Sequence, residues 1–282
     1  MGRLGKYLFC LAFFLIVCYG ALVWYVNSEV EKALNNAVAD VDGLSLTYED
    51  VWVSLGDRTL TISKPVSTLP SGELLMADEV VVIAFDERHD IPHFLKVQAK
   101  GLVVQARDAQ RLGLPVTQDM RGDMLVDYRY NPVAKALNLS ALSYDDLKLG
   151  RVMVSGTITQ LDLDAFRMEK LIGLQLKDAT LEFEDRSFMD GLFSQLGMQA
   201  AASKEQVRQQ VSRELQAFVD YGNQKGKEKG AEAVRNLKQF VDNSGTVTIK
   251  VLPAEPVPYI YLLMGRDLYE NIDLLNLSIE TK

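Results

Sequence analysis

Beyond Gly43 the apolar residues of this chain recur at every second position, in segment after segment, almost to the C-terminus. LSLTYEDVWVSLGDRTLTIS (44–63) alternates through Leu44, Leu46 and Tyr48, then Val51, Val53 and Leu55, then Leu60 and Ile62. Gly56-Asp57 between two such runs is a hairpin signal. MADEVVVIAFD (76–86) has a continuous Val80–Phe85 run, which predicts a more buried strand. HFLKVQAKGLVVQAR predicts two short strands around Lys100-Gly101. DMLVDYRY, LNLSALSY, RVMVSGTITQLDL and LKDATLEFED follow in the same style. Strand signals at such regular intervals describe an antiparallel meander with one apolar face.

A sheet of this kind must cover its apolar face. It closes on itself, receives amphipathic helices, or accommodates a hydrophobic ligand. Helices are available at 187–243, where SFMDGLFSQLGM (187–198) reads as a short first helix. Ser203-Lys204-Glu205-Gln206 fits a capping box, and Val207, Val211, Leu215 and Phe218 form a stripe behind it. Tyr221-Gly222 is expected to close that helix, and AEAVRNLKQFVDN (231–243) to form its partner in a hairpin. GTVTIKVLP returns to strand, PYIYLLMGRDLYENI reads as a helix of about three turns, and LLNLSIE as a last strand.

Residues 7–26, YLFCLAFFLIVCYGALVWYV, carry no charge. Twenty residues make roughly 30 Å of helix, the thickness of a bilayer core, whereas a secretory apolar region is shorter. Small residues suited to cleavage do not follow Val26, and Val17 before Cys18 is too bulky for a lipoprotein signal. The expectation is an uncleaved anchor. Tyr7, Trp24 and Tyr25 sit at its ends, as interfacial aromatics do, and Arg3 and Lys6 keep the N-terminus cytoplasmic. Both cysteines, Cys10 and Cys18, lie within this run, so the remainder has no disulfide. All 38 acidic residues follow the run, against 28 of the 30 basic ones. That excess of negative charge argues against nucleic acid as a partner.

The predicted organisation is a membrane-anchored, β-rich α+β protein. It has one N-terminal transmembrane helix, a curved, mostly antiparallel sheet and an inserted helical hairpin. The segments are a cytoplasmic tail (1–6), the anchor (7–26), a juxtamembrane helix (27–42), an antiparallel β domain (43–186), the hairpin (187–243) and C-terminal strands completing the sheet (244–282).

No polar constellation carries a catalytic signature. P-loop, dinucleotide-fold, hydrolase-elbow and CxxC patterns are missing from the sequence. His89 and His93 are the only histidines, in DERHDIPHF with Asp86, Glu87 and Asp90. Their spacing suits zinc. Pro92 disfavours the helix that would align them, however, and a strand-to-strand turn is polar anyway. Glu182 and Glu184 read as a strand's solvent face, and Asp185 or Ser187 as the cap of the next helix. The Arg-Gly-Asp at 121–123 is a cheap match. Trp52, Tyr128, Tyr130, Phe183 and Phe218 are expected in the core. We therefore expect no catalytic residue, no metal and no cofactor.

VWVSLGDRTLTIS and LLMADEVVVIAFD, behind an anchor with a minimal tail, resemble the strand pairs of AsmA-like bacterial envelope proteins, and LGRVMVSGTITQLDL is similar in style. LKDATLEFEDRSFMDGLF, a helical stretch, then GTVTIKVLPAEPVP is similar to the C-terminal module of envelope proteins of unknown function. The resemblance implies a chorein-like curved sheet and a place on the inner membrane, single-pass, with the C-terminal domain in the periplasm. The expected function is non-enzymatic: binding lipid or another envelope component, in lipid transport, homeostasis or envelope assembly. The residues expected to face lipid are Val80, Val82, Leu102, Val104, Val152 and Val154, with the parity facing a groove left open. The alternative is a scaffold with a closed core that binds a protein partner.

Overall fold

The computed structural model describes the backbone of residues 3–39, 41–89, 91–111, 113–114, 116–165, 173–263 and 267–282, and excludes the side chains of 3–17, 37, 262 and 263. Tyr7, Asp90 and the first half of the apolar run 7–26 therefore lie outside the described side chains.

The chain opens with helix α1 (Arg3–Ala39), 37 residues long. One helix runs through both the uncharged run and the juxtamembrane segment that follows it. Among the described residues no helix is long and apolar enough to cross a membrane.

The alternating segments form one 14-stranded antiparallel sheet. Its strands are β1 (Ser45–Thr47), β2 (Asp50–Ser54), β3 (Thr59–Ser63), β4 (Val66–Thr68), β5 (Leu74–Met76), β6 (Glu79–Phe85), β7 (Phe94–Val104), β8 (Met120–Asn131), β9 (Ala136–Asp146), β10 (Gly150–Thr159), β11 (Gln175–Asp185), β12 (Thr246–Val251), β13 (Val257–Pro258) and β14 (Ser278–Thr281). The main path runs β1-β4-β5-β7-β8-β9-β10-β11-β12-β14. Strand β7 is shared. Its first half pairs with β6, which carries β3 and β2, and its end pairs with β5. A short helix, α2 (Ala106–Arg111), links β7 to β8.

Register shifts interrupt β6–β7, β7–β8, β8–β9, β9–β10 and β10–β11. Each such bulge bends a strand and increases its twist. The two short strands expected around Lys100-Gly101 are thus one strand with a bulge. Gly101 is needed there. Its φ is +60°, and a Cβ would lie 2.0 Å from Asp78 Oδ2. The Val80–Phe85 run is not deeply buried either. After the shift at Val82, Ile83 and Phe85 turn outward.

Between β11 and β12, adjacent in the sheet, three helices are inserted: α3 (Phe188–Ala200), where SFMDGLFSQLGM reads as a short helix, then α4 (Lys204–Gln224) and α5 (Glu228–Asn243). Asp185 Oδ1 accepts the Met189 N–H at 3.0 Å and starts α3. The capping box at Ser203 and Gln206 starts α4. That helix does not end at Gly222, because the glycine is where the buried ring of Tyr269 packs. The expected last helix is two pieces, α6 (Ile260–Leu263) and α7 (Leu268–Leu275). Leu275 belongs to α7 rather than to the last strand.

Met189, Phe193, Phe240 and Val241 of α3 and α5 pack against Phe183, Val247, Ile249 and Ile279 of the sheet. A second cluster joins Val219, Ala231, Val234, Tyr269 and Ile272. The helices therefore close one end of the apolar face. At the other end α1 meets the sheet: Val23 and Val51 are buried, and Asn27 Oδ1 accepts the Val53 N–H at 2.8 Å. That bond occupies part of the β2 edge, which is otherwise open to strand addition. Trp52 and Phe218, expected in the core, are exposed.

Candidate functional site

Residues paired across neighbouring strands share a face of the sheet. Followed strand to strand, Val51, Ile62, Val80, Ala99, Met124, Tyr144, Val152, Phe183 and Val247 form one row across nine strands. Val53, Leu60, Val82, Val97, Val126, Leu142, Val154, Leu181, Ile249 and Ile279 form the next, across ten. Apart from the Tyr144 hydroxyl, neither row contains a polar group. Ten strands about 4.8 Å apart extend such a row over roughly 43 Å.

The opposite face is polar. Asp123, Asp145, Arg151, Glu184 and Thr246 form a row there. Ion pairs Lys96–Asp127, Lys100–Glu79, Arg186–Asp145 and Lys250–Glu280 lie on it. Arg121 and Asp123 of the Arg-Gly-Asp stretch lie inside β8: Arg121 pairs with Asp78 at 2.5 Å, and Asp123 accepts the Gly101 N–H. An adhesive loop tip is thus ruled out for that tripeptide.

The helices and α1 cover only the ends of the apolar face. Between them lies a trough of about 550 Å³, within the range of small-molecule sites. Met124, Tyr144, Val152, Leu181 and Phe183 are on its lining. Leu102, Val104 and Met120 approach from one side, Leu149, Phe188 and Val247 from the other. A smaller hollow of about 200 Å³, lined by Ile62, Leu75, Met76 and Val80 among others, adjoins it and shares Leu102.

Polar groups at the trough are few. The Tyr144 hydroxyl is buried and has no hydrogen-bond partner among the described protein atoms. Burial, with Asp146 and Asp123 nearby, pushes its phenol well above the ordinary value. Asp146 is buried too, but its carboxylate accepts the N–H groups of Arg121, Lys148 and Leu149 at 2.8–3.0 Å. It builds the β9–β10 turn and is not free for chemistry.

The six residues expected to face lipid lie on strands whose parity is now fixed. Val80 and Val152 are in the first row, Val82 and Val154 in the second. Leu102 and Val104 lie opposite Gly122 and Met120 on the same face. Val80, Leu102, Val104 and Val152 line the two hollows; Val82 and Val154 do not. The reading of the sequence missed Met120, Met124, Tyr144 and Phe188. Alternation marked Met124 and Tyr144 as one-faced. Only register puts them beside Val152.

A second constellation lies at the β6–β7 turn. Here Asp86, His89 and His93 converge without a helix, contrary to the expectation from Pro92. One donor atom from each lies within 4.8 Å of the others. Asp86 Oδ2 is 2.7 Å from His89 Nδ1 and accepts the His93 N–H at 2.9 Å. Asp86 Oδ1 accepts the Arg88 N–H. The His93 N–H above all, then those of Arg88 and His89, hold the Asp86 carboxyl at about 2 against the opposing effect of burial. The imidazoles stack at 3.7 Å, and His93 Nε2 lies 2.8 Å from Asp164 Oδ1.

A family model described only as "Uncharacterized protein" matches residues 143–282. The matched stretch holds Tyr144, Val152, Phe183 and the helical cover; Leu102–Met124, the facing side of the trough, lies outside it. No curated protein matches the chain.

Proposed function

We propose that this is a non-enzymatic, membrane-anchored envelope protein whose trough accommodates the acyl chain of a lipid, in lipid transport or homeostasis. The observation that carries the reading is the pair of unbroken apolar rows whose middle no helix among the described residues covers. A continuous, partly exposed apolar surface of this extent is suited to binding an apolar partner. Leu142, in the second row at mid-sheet, is 38 % exposed. The scarcity of polar groups fits an acyl chain better than a polar metabolite, with the Tyr144 hydroxyl left for one oxygen of the ligand.

The anchor belongs to the same proposal. The uncharged run 7–26 lies within α1, a helix of roughly 55 Å. Tyr19, Leu22, Trp24 and Tyr25 are exposed on it, an arrangement suited to a membrane interface. In this reading the sheet lies on the periplasmic side of the inner membrane, in keeping with the AsmA-like resemblance. Other envelope proteins are natural partners for handing lipid on.

The test is site-specific photo-crosslinking of the full chain in its native membrane. A photoreactive residue at Val152 lies in the trough; one at Met153 lies on the opposite face. Lipid adducts at Val152 and not at Met153 are expected. Adducts at neither position, or equally at both, overturn the trough reading and favour a scaffold that holds a protein partner.

A further inference from the structure

We propose that Asp86, His89 and His93 form a binding site for one divalent transition-metal ion of the zinc class, with Asp164 positioning His93. The inference is independent of the trough. His93 immediately precedes β7 and Leu102 lies nine residues further on, roughly 30 Å along the strand.

The donor set is the first argument. Two imidazoles and one carboxylate are an established three-ligand set for zinc, which leaves a fourth position open. In a neutral imidazole one nitrogen donates a proton and the other offers a lone pair. The Asp164 carboxylate engages Nε2 of His93, which leaves Nδ1 as the free donor. Asp86 Oδ2 lies 2.7 Å from Nδ1 of His89, so an ion shared by these two atoms replaces the proton between them, and Asp164 is the outer carboxylate. A carboxylate that fixes the tautomer of a metal-bound histidine is the usual outer partner in such sites.

Geometry is the second. Tetrahedral zinc with ligands at about 2.1 Å sets donor atoms about 3.4 Å apart. The widest separation here, 4.8 Å, must close by little more than 1 Å. The His89 side chain is 43 % exposed and free to make that movement, and its exposure supplies an entry path. Asp86 and His93 are buried and already fixed. Tyr130 holds His93 edge-on at 4.9 Å, and its hydroxyl donates to Leu161 O.

Turn-building alone does not account for the cluster. The N–H groups of the turn need only Asp86, which accepts from Arg88 and His93. Neither imidazole ring is required for that. Yet the only two histidines of the 282 residues sit ring on ring. Among the described residues no other group of three such side chains converges in this way. A bound ion would tie the β6–β7 turn, through His93 and Asp164, to the segment after β10, across two intervening strands.

The small number of histidines makes the test clean. The full chain, purified in detergent without a histidine tag and stripped with chelator, is titrated with Co²⁺ alone. Binding of one equivalent is expected, with the visible absorption of four-coordinate cobalt, displaced by Zn²⁺. Zn²⁺ should also raise the melting temperature, since a ligand that binds only the folded state stabilises it. His89→Gln, at the exposed ring, should weaken binding at least tenfold without unfolding the chain. Asp164→Asn should weaken it by about 10–100-fold, as loss of an outer partner does. Absence of saturable binding, or unchanged affinity in His89→Gln, overturns the site. If the His93→Gln chain fails to fold, the His89→Gln result decides.

Discussion

Tyr144 is the residue at which the trough's chemistry is most exposed to test. Its hydroxyl is buried without a hydrogen-bond partner among the described residues, and such a group costs about 1–3 kcal/mol. Tyr144→Phe should therefore stabilise the ligand-free protein by about 1 kcal/mol in urea unfolding. A loss of that size would mean the hydroxyl is bonded in solution. The raised phenol also gives a pH dependence. An unfolded tyrosine ionises near pH 10. The folded one ionises higher, so its contribution to stability is complete below about pH 10 and declines above it. In Tyr144→Phe that part of the alkaline decline should be missing. Single residues were unevenly legible in the sequence. Asp185 as a helix cap and Glu184 as a solvent-facing strand residue follow from local rules. Trp52 and Phe218 do not follow, because aromatic character favours burial but cannot tell which face a strand or helix turns outward. For the histidine pair the turn was legible and the helix rightly disfavoured; that the turn itself brings Asp86, His89 and His93 together was not.

At the scale of elements, Tyr269 shows how the helical cover is locked. It is 1 % exposed between α4 and α5, and its hydroxyl donates to the Phe218 carbonyl. A Cβ on Gly230 would lie 2.4 Å from its ring, and one on Gly222 2.8 Å. Two effects oppose each other in Gly230→Ala. Helix propensity gains about 1 kcal/mol, while overpacking a filled site costs about 1–3 kcal/mol. The ring is wedged by Gly222 as well and has nowhere to go, so the cost wins. We expect net destabilisation of about 1 kcal/mol by thermal unfolding; a stabilised variant would show that α7 moves freely. The alternation and the capping box made most strands and α4 readable in advance. Boundaries were not readable where two local signals competed. Lys100-Gly101 looked like a chain break but is a bulge inside one strand. Gly222 looked like a helix end but is a seat for Tyr269. LLNLSIE (274–280) looked like one strand, yet Leu275 ends α7 and Asn276, at φ +47°, turns the chain into β14.

For the whole molecule, what decides function is which parities of successive strands meet on one face. Alternation marks two faces within each strand, but the pairing between strands is long-range, and a slip of one residue exchanges the faces. Five register shifts occur along this sheet, and all of them fall outside the two apolar rows, which keep one register from strand to strand. The rows run on through the middle of the sheet, beyond what the helices cover at one end and α1 at the other. A closed-core scaffold needs no apolar side chains there, whereas a lipid-holding trough does. Adjacent residues on one strand separate the two demands. Met124 lines the trough and Leu125 pairs with Gln98 and Ser143 on the polar face. Met124→Lys keeps a flexible aliphatic stem over the same surface while bringing a charge into the trough, and Leu125→Lys brings the same charge to the opposite face. In a titration of the full chain with a fluorescent fatty acid, Met124→Lys should weaken binding at least tenfold and Leu125→Lys should leave it unchanged. Melting temperatures of the two variants, measured alongside, report whether either has lost its fold. Equal affinity in two folded variants would remove the trough from the function and leave the sheet a scaffold, its apolar middle awaiting a protein surface.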